Sequence, residues 1–177
     1  MLRSTARGIL AAAGALTLAG CMAESVRTPD QPTFYLSMAN GGAVLDANAA
    51  ASMISGYRSN NGLGAVKVDP DLMKLADQQS QAMAKRNKMD HDVAGPLAKR
   101  IASAGYPATT AVENISAGYH TLAEAFSGWR DSPPHRANML KPGVTKLGIA
   151  ATYAPNTKYK VFWTLILAST DTRASND

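Results

Sequence analysis

The sequence predicts an α+β domain in which capped amphipathic helices come first and a two-stranded antiparallel hairpin comes last. Three observations carry that prediction. Asp46, Asp69-Pro70 and Thr121-Leu122-Ala123-Glu124 each set an N-cap residue before apolar residues at helical spacing. From Leu147 onward the period drops to two, through Leu147, Ile149, Ala151 and Tyr153, then Tyr159, Val161, Trp163, Leu165 and Leu167. The second of these runs also carries Phe162 and Ile166 on its other face, and a strand apolar on both faces needs cover on both sides. Helices must therefore lie on the sheet as layers.

Taken in order, residues 1–20 read as an export leader. Arg3 and Arg7 form a basic start, and Ile9 to Leu18 form an apolar core too short to span a bilayer, which takes about 20 residues. It ends in Leu18-Ala19-Gly20-Cys21, which resembles a bacterial lipobox. That resemblance implies cleavage before Cys21, acylation of Cys21 (a palmitate-type modification), and attachment to a membrane facing the periplasm or cell exterior. Met22 stands where an aspartate would favour retention at an inner membrane, which points to an outer-membrane address. Residues 21–44 hold Pro29, Pro32 and Gly41-Gly42 and read as a tether, with Phe34, Tyr35 and Leu36 apolar enough to touch the domain. The domain proper is expected over 45–170, with 171–177 as a tail.

Within the domain, Asp46 caps a helix bearing Met53, Ile54 and Tyr57 that stops at Asn60-Asn61-Gly62. Asp69 caps a second, with Pro70 at its first turn and Leu72, Leu75, Ala76, Gln79 and Met83 on one face to about Asn87. His91 falls just past its end. Pro96 opens a short helix with Leu97 and Ile101, closed by Gly105. The capping box at Thr121 starts a helix with Ala125, Phe126 and Trp129 on its apolar face. Ser132, ahead of Pro133-Pro134, is placed to cap a short turn bearing His135.

Composition narrows the chemistry. Cys21 is the single cysteine, so no internal disulfide and no Cys-x-x-Cys pair can form, and an acylated Cys21 is no nucleophile. Arg3 and Arg7 fall in the leader, which holds no acid, leaving sixteen cations against thirteen acids. They are scattered, and Lys85, Arg86 and Lys88 read as a solvated helix end, so nucleic acid is not an expected partner.

The chemistry-bearing residues are His91 between Asp90 and Asp92, Val112-Glu113-Asn114-Ile115, and Trp129-Arg130-Asp131-Ser132-Pro133-Pro134-His135-Arg136-Ala137-Asn138-Met139-Leu140. With Asn61-Gly62-Leu63, Asp69-Pro70, Gly128-Trp129 and Leu147-Gly148-Ile149, they occur in the order seen in bacterial CAP-domain (SCP-like) proteins, of the cysteine-rich secretory protein/antigen 5/pathogenesis-related 1 superfamily. The chain resembles them over about residues 46–168. The resemblance implies a three-layer α–β–α sandwich and a cleft lined by two histidines and acidic residues, which match His91, His135 and Glu113 here. Eukaryotic members often carry a second glutamate where this chain has Ser132, next to Asp131, and Val112 replaces a usual glycine. The acidic set is thus altered.

Two neutral imidazoles can hold a divalent ion such as zinc, with Glu113 as third ligand or outer-shell group. Alternatively, Glu113 fixes one imidazole's tautomer. Asp90 and Asp92 favour a protonated His91, which opposes metal binding at low pH. Arg136 is expected to pair with a carboxylate, Asn138 to satisfy backbone groups in the turn, and Trp129, Phe126 and Trp163 to be core. His120 matches no cleft position and reads as surface or cap chemistry, and Met73, Met83 and Met89 as core filler.

Two functions follow. One is a lipid-anchored binding or accessory module for a small apolar ligand, a lipid or an envelope polymer. The other is a peptidase- or esterase-type hydrolase using a metal-bound water or a Glu113–histidine base, with Ser132 as an alternative nucleophile. No His-Glu-x-x-His, Gly-x-Ser-x-Gly or Ser-x-x-Lys occurs, which favours binding over catalysis.

Overall fold

The computed structural model describes residues 31–170. The leader, Cys21, the first part of the tether and the tail lie outside the described residues. Helices α1 (Ala47–Ser59), α2 (Pro70–Arg86), α3 (Leu97–Ser103), α4 (Leu122–Asp131) and α5 (Pro133–Met139) accompany strands β1 (Lys67–Val68), β2 (Ala108–Ala117), β3 (Lys146–Ala154) and β4 (Lys160–Thr170). The caps are as the sequence predicts. Asp46 accepts from Ala49 N–H, Asp69 from Asp71 and Leu72, and Thr121 and Glu124 close a full capping box. Asn87 ends α2 in the left-handed region, and Pro96 leads into α3.

The four strands form one sheet in the order β1-β3-β4-β2, with β1 parallel to β3 and the other pairs antiparallel. Alternation along β4 separates two cores. Val161, Trp163, Leu165 and Leu167 face Ile54, Leu122, Trp129 and Met139 of α1, α4 and α5, while Ile166 and Ala168 face Leu72, Leu75 and Ile101 of α2 and α3. The result is the expected α–β–α sandwich. Beyond the expected hairpin, the structure adds β1 and the ten-residue β2.

The described end of the tether lies on the domain. Phe34 packs on the α1–α4 core and Met38 is buried, its N–H bonding to the His120 carbonyl, whereas Tyr35 and Leu36 stay exposed. Met73 and Met83 fill core space, but Met89 does not: it is about half exposed beyond the end of α2. Arg136 is exposed and meets no carboxylate among the described residues; with Pro133, Pro134 and Ala137 it lies on the outer face of α5, while Met139 is the residue that turns inward. The buried arginine of this region is Arg58, which donates to the carbonyls of Gly64, Met139, Lys141 and Val144 and so ties α1 to the chain following α5.

Candidate functional site

The site assembles around β2, which stands at the edge of the sheet with one side unpaired among the described residues. Its residues alternate between the layers: Glu113 opposes Ile166 on the α3 side, and Asn114 opposes Leu165 on the α5 side. The open edge is covered by side chains rather than by another strand, since Asn138 Nδ2 donates to the Glu113 carbonyl at 3.0 Å and Trp129 Nε1 to the Ile115 carbonyl at 3.4 Å. Asn138 thus satisfies strand backbone, not its own turn. It also donates to Asn114 Oδ1 at 2.9 Å, and Asn114 Nδ2 donates to the His135 carbonyl at 2.9 Å. This chain of amides fixes α5, and with it His135, against β2.

His91 is placed from the other layer. Gln79, fully buried on α2, donates to the carbonyls of Asp90 and His91 at 2.8 and 3.1 Å and accepts from Ala94 N–H. One core amide therefore clamps both ends of the His91 loop, and buried Val93 pins its middle. The sequence marks Gln79 only as a polar residue on an apolar helix face. A buried amide needs partners, and the nearest chain end is the His91 loop.

Glu113 is the hub. Its side chain is 3% exposed, with His91 Nδ1–H donating to Oε1 at 2.8 Å and Arg100 Nη2 donating to Oε2 at 2.5 Å. Arg100 is itself buried, and its Nε donates to the Gly95 carbonyl at 2.8 Å. Sequence reasoning missed Arg100, because an arginine in a short helix next to Lys99 looks like surface. The ionised carboxylate holds the Nδ1–H tautomer and leaves His91 Nε2 free. Its hydrogen bond raises the His91 pKa above the usual 6.5, against the opposing effect of burial, and Asp92 adds to the rise. Asp90 is instead turned to Lys88 at 2.6 Å.

His135 has the opposite environment. Burial lowers its pKa first, and charge on His91 lowers it further, so one imidazole is biased to the cation and the other to the neutral form. Ser132 sits at the helix N-cap position but makes no cap; its Oγ lies 2.9 Å from His135 Nδ1. Asp131 does not take the place of a second cleft acid, because it is exposed and forms a two-point pair with Arg130. His120 stays outside the cleft in the capping box, its N–H bonded to Glu124.

Beside His135 a cavity of about 230 Å³ opens between β2 and α4, with Met89, Ile115, Ala117 and Trp129 as apolar lining and the hydroxyl-bearing Ser116, Tyr119 and Ser132 around it. Ser116 is buried and its Oγ has no hydrogen-bond partner among the described residues. Gly128 admits the Tyr119 ring, since a Cβ there would lie 2.3 Å from the Tyr119 hydroxyl.

The residues present do not compose a zinc site of three protein ligands. Both Glu113 oxygens are engaged, and among the described residues no three His, Cys, Asp or Glu side chains gather as a metal-holding group. Glu113 acts as the orienting partner of His91.

Comparison with known proteins agrees with this architecture. The Bacillus subtilis (strain 168) protein YkwD is 31% identical over 133 residues, covering 68% of this chain and 52% of its own length. The crystal structure of an extracellular SCP-domain protein from Bacillus anthracis is 25% identical with a TM-score of 0.59, over 74% of this chain and 45% of that one. An outer surface protein from Borrelia burgdorferi, at 18% identity, shares the fold with a TM-score of 0.63, over 70% of this chain and 92% of that one. The chain thus spans about half the length of the two Bacillus proteins. The Cysteine-rich secretory protein (CAP) family description matches residues 51–167, most of the folded region. The chain belongs to the CAP family.

Proposed function

We propose that this is a lipid-anchored cell-envelope binding module whose cleft takes a small amphipathic ligand. The observation that carries the reading is the cavity beside His135, apolar along Met89, Ile115, Ala117 and Trp129, with the Ser116 hydroxyl buried in its wall and unpartnered. A buried hydroxyl without a partner is a standing demand for a ligand atom or water. An alkyl chain ending in a carboxyl or hydroxyl group meets both the lining and the demand. Octanoic acid is a suitable probe, followed through the fluorescence of Trp129. Saturable binding is expected, weakened about tenfold by Ser116→Ala, which removes the hydroxyl and adds no bulk. Binding that is absent, or unchanged in the variant, would sink the reading. The divalent ion is not part of this proposal, because no third His, Cys, Asp or Glu joins His91 and His135 as a ligand among the described residues; Glu113 is placed as the outer-shell partner of His91.

The anchor is a separate element of the proposal. It rests on the lipobox at Leu18–Cys21 and on two structural relatives described as extracellular and outer-surface proteins. No helix among the described residues is long and apolar enough to cross a membrane. Cys21→Ala should shift the protein from the membrane fraction to the soluble fraction. An unchanged distribution would remove the anchor.

One observation favours the hydrolase reading: Ser132 Oγ within 2.9 Å of an imidazole biased to its neutral form. Ester hydrolysis by the purified chain that disappears in Ser132→Ala would support it, and activity retained in that variant would exclude this pair as its source.

A further inference from the structure

Arg100 faces a second environment that the cleft does not use. Besides reaching Glu113, it lines a hollow of about 630 Å³ between α2 and α3. Lys74 and Gln78 of α2 and Lys99 and Ser103 of α3 share its walls. Three cations line the hollow against one acid, Asp71, which Lys74 already pairs at 2.9 Å. Lys99 is exposed and makes no ion pair among the described residues.

The floor of the hollow has an unmet requirement. Arg100 is 6% exposed, its Nε and Nη2 are bonded, and its Nη1 has no partner among the described residues. A guanidinium has donors only, so the missing partner must be an acceptor. No acceptor among the described residues meets it, and Arg100 lines the hollow, so an oxygen bound there is the partner it lacks. A planar guanidinium edge at the floor with flexible ammonium groups at the rim is the donor arrangement that suits a phosphate group.

We infer that the hollow between α2 and α3 binds a phosphate group, with Arg100 Nη1 and Lys99 as its main contacts and Lys74 in support. This site lies on the α2–α3 layer, away from the His135 cavity, and does not depend on what that cavity binds. Because the same guanidinium holds Glu113, a phosphate here sits one side chain away from the group that orients His91.

The test uses the full chain carrying Cys21→Ala, so that an anchor cannot bind vesicles by itself. Inorganic phosphate, glycerol phosphate and acetate are titrated at constant ionic strength while the Arg100 side-chain and Gly95 amide resonances are followed. Saturable shifts at both are expected with inorganic phosphate. Lys74→Gln combined with Lys99→Gln, both at exposed positions, should weaken binding about tenfold. Phosphatidylglycerol vesicles compared with phosphatidylcholine vesicles then separate sources. Retention on the former alone, lost in the double variant, assigns a lipid headgroup, and saturation by glycerol phosphate without retention assigns a soluble ester. Shifts confined to the lysines, no shift at Arg100, or an equal response to acetate would overturn the inference.

Discussion

Replacing Gly148 with alanine should cost about 3 kcal/mol or more and lower the melting temperature by roughly 10 °C. Gly148 lies on β3 under the first turn of α2, and a Cβ there would stand 2.2 Å from both the carbonyl carbon and oxygen of Leu72. The obstacle is backbone within a capped helix, so no rotamer change relieves it; α2 must lift from the sheet. Leu72, Leu75 and Ala76 would lose their fit against Ile166 and Ala168. Gln79 rides on the same helix and holds the His91 loop, so a lifted α2 also loosens the site. Gly56 provides the control. It sits exposed in α1 with nothing within 4 Å of a new Cβ, and alanine there should stabilise by about 1 kcal/mol. Thermal unfolding of the two variants decides it. A Gly148→Ala melting temperature within a degree or two of the parent would show that the close approach is not required.

The same glycine shows what the sequence could and could not disclose. Gly148 is legible as part of Leu147-Gly148-Ile149, yet nothing in a linear pattern says that helix backbone crosses it. Caps and periods were legible because their causes are local: Asp69 bonds within two and three residues, and Thr121 with Glu124. β2 was not legible as a strand. Its Glu113, Asn114 and Ser116 are buried polar residues, so it shows neither alternation nor an apolar run. What makes it a strand is pairing with β4, some 50 residues later in sequence. The histidines and Glu113 were found by resemblance, while their supports Gln79 and Arg100 were missed. Both supports act through tertiary contacts, and their residue types are far more often solvent-exposed. Resemblance located the cleft, and only packing explains why it stays in place.

Glu113→Gln should be the most damaging change in the site, and its signature should be pH-dependent. The Arg100 and Glu113 side chains are 5% and 3% exposed, so neutralising one strands the other's charge, at a cost of about 3–5 kcal/mol. The amide can also serve only one of its two donors as acceptor. If its oxygen stays on Arg100, its NH₂ faces His91 Nδ1, which must then accept, so the ring proton moves to Nε2 and the cleft meets a donor in place of an acceptor. In the parent, the raised pKa of His91 gives a contribution fully present below the ordinary value of 6.5 and lost as pH rises through the higher folded value. His135, lowered by burial, works the other way: its neutral state is favoured, so stability is lost as pH falls from 6.5 through its folded value. The two partly cancel in the parent. With Glu113 neutral, the His91 contribution disappears and the His135 loss remains, so the variant should become steadily less stable on acidification. Imidazole resonances followed by NMR should show His91 titrating at lower pH than in the parent, with its neutral tautomer reversed. Denaturant unfolding across the same pH range should show the altered slope. A His91 titration that does not move would mean that Glu113 is not what holds its proton, and the hub assigned to this carboxylate would have to be given up.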